Sequence, residues 1–262
     1  MRDTTITMMC LGLLLRSWES SWPAKYEVIS LSEERRFPSW QSNDNLAAFT
    51  DYTLVSAEAG AGAFLDLCSE AVADGYYGVC VSGGWVRLCR ERLSGTKAKV
   101  SAVVGFPLGT HATRAKAFEA SAALDDGASE IDMVLPIGRL ADGDYDSVER
   151  DIAAVVQAVQ GGALVKVILE TGMLTEERIT AGAKIAEAAG ADYVQTSTGF
   201  GGRGASVSDI ALIRSAVSIE MGIKASGGIR NAQSAIELLA AGANRIGSSS
   251  GKAIVHGLSK LL

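Results

Sequence analysis

Three side chains with useful chemistry stand at the ends of short β-branched runs: Asp132, Gln195 and Lys224. A carboxylate can move a proton, an amide can donate and accept hydrogen bonds, and an amine can serve as nucleophile or as a fixed positive charge. Asp132 belongs to Glu130-Ile-Asp-Met-Val. If that run is a strand, alternation turns Glu130 and Asp132 to one face and Ile131 and Met133 to the other. Two inward carboxylates are costly unless they are paired or used. Lys166, in Leu164-Val-Lys-Val-Ile-Leu-Glu, shares its parity with Glu170, which predicts a polar layer. Lys166 can be a neutralising partner of Asp132 or part of the chemistry. Lys224, in Gly222-Ile-Lys-Ala-Ser, stands near its strand's end.

Glycine loops follow the last three candidate strands. They are Gly199-Phe-Gly-Gly-Arg-Gly, Gly227-Gly228 and Gly247-Ser-Ser-Ser-Gly. The last two precede helical segments. Backbone N–H groups that converge beside a helix start bind anions, so a phosphorylated substrate is expected. Arg203 either adds charge to that site or is solvated.

These residues need elements to position them. Eight β-rich runs are spaced along the chain: Phe49–Val55, Gly78–Ser82, Lys99–Gly105, Glu130–Leu135, Leu164–Glu170, Tyr193–Ser197, Gly222–Ala225 and Arg245–Ser248. Amphipathic segments separate them. In Ser147–Gln160, Val148, Ile152, Val155, Val156 and Val159 fall on one helical face. Thr175 caps a helix whose first turn carries Glu176 and Glu177, and Ser206 opens another, Ile210–Val217. Gly127, Gly190 and Gly242 each end a helix just before a strand. Strand–helix alternation predicts an α/β fold with a parallel sheet. Eight such units in a chain of 262 residues predict a single (β/α)8 barrel. A Rossmann sheet is the alternative, but no GxGxxG follows the first strand. In a barrel, function sits at the C-terminal strand ends.

Composition narrows the partners. Hydrophobic residues make up 48 % of the chain and the net charge is −6, with no basic stripe, so no nucleic-acid partner is expected. Cys10, Cys68, Cys80 and Cys89 form no CxxC pair and are expected to be free thiols. His111 and His256 are the only histidines, so no zinc set is expected, nor any other cofactor. Residues 1–45 read as an irregular N-terminal extension and 46–262 as the barrel. Ile6–Leu15 is apolar behind Arg2, but Asp3 and the lack of a small-residue cleavage site argue against a signal peptide. The run is too short to span a bilayer. A cytoplasmic protein without a membrane partner is expected. Trp18, Trp22 and an exposed Trp85 are candidates for a homodimer contact.

Taken in order, several phrases resemble the deoxyribose-phosphate aldolase family. They are Asp51-Tyr-Thr-Leu, Val79-Cys-Val, Gly105-Phe-Pro-Leu-Gly, Glu130-Ile-Asp-Met-Val, Leu164-Val-Lys-Val-Ile-Leu-Glu-Thr, Thr196-Ser-Thr-Gly-Phe, Lys224-Ala-Ser-Gly-Gly-Ile-Arg and Arg245-Ile-Gly-Ser-Ser. The resemblance runs from about Asp51 to His256. It implies class I aldolase chemistry: reversible cleavage of 2-deoxy-D-ribose 5-phosphate to glyceraldehyde 3-phosphate and acetaldehyde through a lysine imine. It further implies Asp132 as proton shuttle, Lys224 as the second lysine and Lys166 as the charged partner. Phosphate contacts would fall to Gly199, Gly227, Gly228, Ile229, Arg230, Gly247 and Ser249. The family's imine lysine precedes Thr-Ser-Thr-Gly, and Gln195 stands there in this chain. An amide cannot form an imine. Val55-Ser-Ala, Ser82-Gly-Gly-Trp and Gly201-Gly-Arg also depart from the family's turns. Three readings follow: an aldolase using Lys224, a repurposed barrel doing imine-free acid–base chemistry on another substrate, and a non-catalytic sugar-phosphate binder.

Overall fold

Alternating β-branched runs and capped helices predict a wound parallel barrel, and the computed structural model has that architecture. It describes residues 36–41 and 45–258. The apolar run Ile6–Leu15, Cys10, Trp18 and Trp22 lie outside the described residues. What is described belongs to one unit, Arg35–Leu262.

The elements run β1 (Thr50–Leu54), α1 (Ala61–Asp74), β2 (Gly78–Ser82), α2 (Val86–Arg92), β3 (Lys99–Val104), α3 (Thr113–Asp125), β4 (Glu130–Val134), α4 (Ile137–Asp142), α5 (Tyr145–Val159), β5 (Leu164–Ile168), α6 (Glu176–Ala188), β6 (Tyr193–Gln195), α7 (Val207–Ala216), β7 (Gly222–Ser226), α8 (Ala232–Ala240), β8 (Arg245–Ser248) and α9 (Gly251–Val255). The strands pair in parallel in sequence order, and β8 closes on β1 through Asp51 opposite Gly247.

Local chemistry sets the helix starts. Thr175 Oγ1 accepts from the Arg178 N–H and Ser206 Oγ from the Asp209 N–H, as expected of caps. Asp144 caps α5 with its carboxylate on the Ser147 N–H, so the helix begins two residues earlier than the apolar pattern does. The apolar stripe of α5 is buried as predicted, through Val148, Ile152, Val155 and Val159.

Alternation splits the barrel chemically. Val79, Val81, Ile131, Met133, Val165, Val167, Val194, Ile223 and Ile246 point outward into the apolar layer under the helices. The opposite parity brings Asp51, Glu130, Asp132, Lys166, Lys224 and Arg245 into the interior, all buried. Residues 36–41 lie against the N-terminal ends of β6 and β8. The Phe37 ring packs on Tyr193 at 4.3 Å, and Asn244 Nδ2 donates to Pro38 O.

Three expectations need correction. Trp85 is not exposed: it is half-buried and stacks on Phe64 at 4.4 Å. Its ring packs against the apolar core beside α1. Glu170 does not join Lys166 in the interior. The strand ends at Ile168, and Glu170 has left-handed backbone (φ 59°), which breaks the alternation. Of the two readings of Arg203, added charge at the glycine loops fails and exposure to solvent holds. Its guanidinium is held by Asp209, at 2.5 Å from Oδ2, on its own following helix. Cys68, Cys80 and Cys89 are free and buried, as expected.

Candidate active site

The interior charges form one network. Lys166 Nζ lies 2.6 Å from Asp132 Oδ1, 2.6 Å from Glu130 Oε2 and 3.0 Å from Ser101 Oγ. Lys224 Nζ lies 2.5 Å from Asp51 Oδ2 and 2.6 Å from Asp132 Oδ2. Arg245 Nη1 closes the ring, 2.9 Å from Asp51 Oδ1 and 3.3 Å from Glu130 Oε2, with its guanidinium over the Tyr77 face. Three carboxylates therefore meet three cations among the described residues. A buried ion is tolerable only when its charge is compensated and its hydrogen bonds are made, and this set comes close on both counts.

Register explains the arrangement. Asp132 pairs with Lys166 across β4–β5, and Gln195 with Lys224 across β6–β7. Lys224 also pairs with Arg245 on β8, so the lysine turns toward Asp51 and Asp132 rather than toward its cationic neighbour. Room for that path comes from Gly247, where a β-carbon would stand 2.8 Å from Lys224 Cε.

The electrostatics follow. Burial pulls the Lys224 ammonium down, but Asp132 and then Asp51 outweigh it and hold its pKa above the ordinary lysine value. Lys166 stands well above its usual value for the same reason, with Asp132, Glu130 and Asp51 overcoming burial. Burial would raise Asp132, yet Lys166 and Lys224 bring it down to about 2. Asp51 is held still lower, against burial, chiefly by Lys224 and Arg245. The Cys80 thiol, 3.6 Å from Asp132, is pushed up to about 12 by burial and by that carboxylate. It is no nucleophile near neutrality.

Above the network opens a cavity of about 260 Å³ at the C-terminal strand ends. Asp132, Gln195 and Lys224 form its floor, and Phe106 and Phe200 meet edge to face at 5.3 Å on its rim. The predicted phosphate residues Gly199, Gly227, Gly228, Ile229, Arg230, Gly247 and Ser249 all line it. Lys166 does not. It lies one layer below and holds Asp132 in place. Gly227 and Gly228 have left-handed backbone (φ 87° and 76°), and Gly204 packs so close that a β-carbon there would meet Gly227 O at 2.1 Å. The loops after β6 and β7 are thus stitched together, with the Ala205 N–H donating to Gly227 O.

Sequence reasoning missed Asp51 and Arg245 as members of the site. Asp51 and Arg245 were visible only as members of candidate strands and of family phrases, with no role assigned. Their parity on β1 and β8 was the available signal. Ser226 was also missed. Its hydroxyl donates to Ser197 O at 2.6 Å and accepts from Gln195 Nε2 at 2.9 Å.

The floor can hold a carbonyl compound between an amine and a carboxylate, and the glycine loops can hold an anion at its other end. No His/Cys/Asp/Glu group among the described residues has the arrangement of a metal site. No helix among them is long and apolar enough to cross a membrane. The description DeoC/LacD family aldolase matches residues 47–257. The deoxyribose-phosphate aldolase of Geobacillus sp. (strain WCH70) is 50 % identical over 214 residues, 82 % of this chain and 96 % of that one. That of Thermococcus gammatolerans is 51 % identical over 216 residues, 81 % of this chain and 96 % of that one. Among solved structures, the tetrameric deoxyribose phosphate aldolase from Aeropyrum pernix superposes with a TM-score of 0.77 at 32 % identity, covering 83 % of this chain and 92 % of that one.

Proposed function

The chain belongs to the DeoC/LacD family of aldolases, and on that premise we propose that it is an aldehyde-lyase that cleaves 2-deoxy-D-ribose 5-phosphate, reversibly, to glyceraldehyde 3-phosphate and acetaldehyde. The amine is Lys224. The observation that carries this assignment is the position of Lys224 Nζ on the cavity floor, 2.6 Å from Asp132, with Gln195 rather than a second lysine on the neighbouring strand.

The sugar phosphate docks with its phosphate on the backbone of Gly227, Gly228 and Ser249 and beside Arg230, so that its aldehyde reaches the floor. Lys224 gives a proton to Asp132, which relays it to the C1 oxygen, and the lysine nitrogen attacks C1. The C1 oxygen, protonated through Asp132, leaves as water, and an iminium remains. Asp132, acting through water, then takes the proton of the C3 hydroxyl. The C2–C3 bond breaks, its electron pair flows into the iminium to give an enamine, and glyceraldehyde 3-phosphate departs. Protonation of the enamine and hydrolysis release acetaldehyde and regenerate the amine. Lys166 and Asp51 hold Asp132 and Lys224 and touch no substrate.

Borohydride reduction in the presence of deoxyribose 5-phosphate or acetaldehyde tests this. The expected result is a reduced adduct mapped by mass spectrometry to Lys224, absent in Lys224→Met. The absence of both an adduct and released aldehyde would sink the reading.

A further inference from the structure

Gln195 is 4 % exposed and its carboxamide has only one partner. Its orientation is fixed by a proton count. The Ser226 hydroxyl has one proton, which Ser197 O takes at 2.6 Å, so Ser226 Oγ can only accept, and the amide must present its nitrogen to it. The amide oxygen is thereby turned away, and Gln195 Oε1 is buried without any donor. Lys224, the nearest cation by register, spends its charge on Asp51 and Asp132 instead. A buried acceptor without a donor is expensive, and a bound group that supplies the donor regains that cost.

Gln195 lies on the cavity floor beside Lys224 and Asp132, where an aldose's C1 would be held. We infer that Gln195 is a specificity residue that accepts a hydrogen bond from a hydroxyl on C1 of the substrate. That hydroxyl exists in the hydrate and in the carbinolamine, and is absent from the free aldehyde and from the iminium. Gln195 thus favours ligands whose C1 carries O–H, which binds the addition intermediate and retards its dehydration to the iminium. The inference rests on the sugar-phosphate reading of this cavity.

The test uses two unreactive ligands, 2-deoxyribitol 5-phosphate and its 1-deoxy counterpart, which has a methyl group at C1. Calorimetric titration of the wild-type chain should show the C1 hydroxyl strengthening binding roughly tenfold. Gln195→Met, similar in shape without an acceptor, should bind both ligands alike, and Gln195→Glu, which keeps an acceptor, should retain the preference. Equal affinities in the wild type, or an undiminished preference in Gln195→Met, would overturn the inference, as would failure of 2-deoxyribitol 5-phosphate to bind. Should Gln195→Met not fold, the wild-type and Gln195→Glu titrations still decide. A retro-aldol assay on the same preparations separates the two claims. A chain that prefers the C1 hydroxyl and does not cleave the sugar upholds this inference and sinks the aldolase reading. A chain that cleaves it without the preference does the reverse.

Discussion

Lys224 crosses β8 directly over Gly247, close enough that a single added methyl on Gly247 would stand 2.8 Å from Lys224 Cε and 3.0 Å from Ser226 Cβ. The amine's position therefore depends on an absent side chain. Gly247→Ala should shift Nζ by up to about 1 Å while leaving it in reach of Asp51 and Asp132. Because the displaced group is the end of a flexible chain, stability should change little. Turnover should suffer more, since misplacement by about 1 Å can cost on the order of a hundredfold. Steady-state assay beside thermal unfolding checks this: kcat/KM should fall by that order with Tm shifted by only a few degrees.

Restoring a lysine at Gln195 should raise retro-aldol activity by about two orders of magnitude or more, since a second amine then faces C1 and the pair lower each other's pKa. The gain should come as kcat rather than KM, because the glycine loops that line the cavity are untouched. Comparison of Gln195→Lys with wild type on deoxyribose 5-phosphate is decisive. An unchanged rate would mean that the altered turns after β1, β2 and β6 have also changed the substrate.

The pH dependence of the wild-type chain has a definite sign. The nucleophile is the neutral amine, and Lys224 is held above the ordinary lysine value, Asp132 and Asp51 outweighing burial. kcat/KM should accordingly rise about tenfold per pH unit from neutrality into the alkaline range, with no plateau near pH 7. In Gln195→Lys, like-charge repulsion should move the rise to lower pH. A bell centred near neutrality in the wild type would contradict Lys224 as the amine.

Acid should destabilise the fold through the same network. Asp132 is lowered to about 2 from the ordinary aspartate value of 3.8, Lys166 and Lys224 prevailing over burial, and Asp51 is lowered further. A depressed carboxylate contributes stability that is fully present above its unfolded pKa and is lost as pH falls through the folded one. Unfolding free energy should hold steady down to about pH 4 and decline steeply between there and about 2. Denaturant titrations across that range measure it, and Asp132→Asn should flatten the slope.

Lys166 should matter for stability more than for substrate binding. It touches Asp132, Glu130 and Ser101 and does not line the cavity. Lys166→Met leaves two buried carboxylates short of a cation, a loss of about 3–5 kcal/mol. Equilibrium unfolding in urea should show it as a lower midpoint with unchanged slope.

How much of this was legible beforehand depends on whether the determining interaction is local. The eight strands were, because β-branched runs between capped helices carry their own punctuation. Gly78–Ser82 and Arg245–Ser248 match to the residue. The Thr175 and Ser206 caps were legible for the same reason. Asp132, Gln195, Lys224 and the glycine loops that line the cavity were legible because motif order and strand-end position are sequence properties. What the sequence could not assign was the partner of each charge. Lys166 and Glu170 share parity on paper, yet a left-handed residue at the strand end sends Glu170 to the loop after β6, where Thr198 N–H donates to it at 3.2 Å. Arg203 stood among glycines, yet Asp209 six residues on captured it. Asp51 lies 173 residues from Lys224, and only closure of β8 on β1 brings them to 2.5 Å. The sequence by itself determined the barrel and the residues on its floor. The tertiary structure decided that Asp51, Asp132 and Lys224 share one proton-binding network, that Gln195 is left with an unanswered acceptor, and that Gly247 makes space for the amine. The physical reason is that pairing within a buried layer is set by register and barrel closure, which bring together strands remote in the chain.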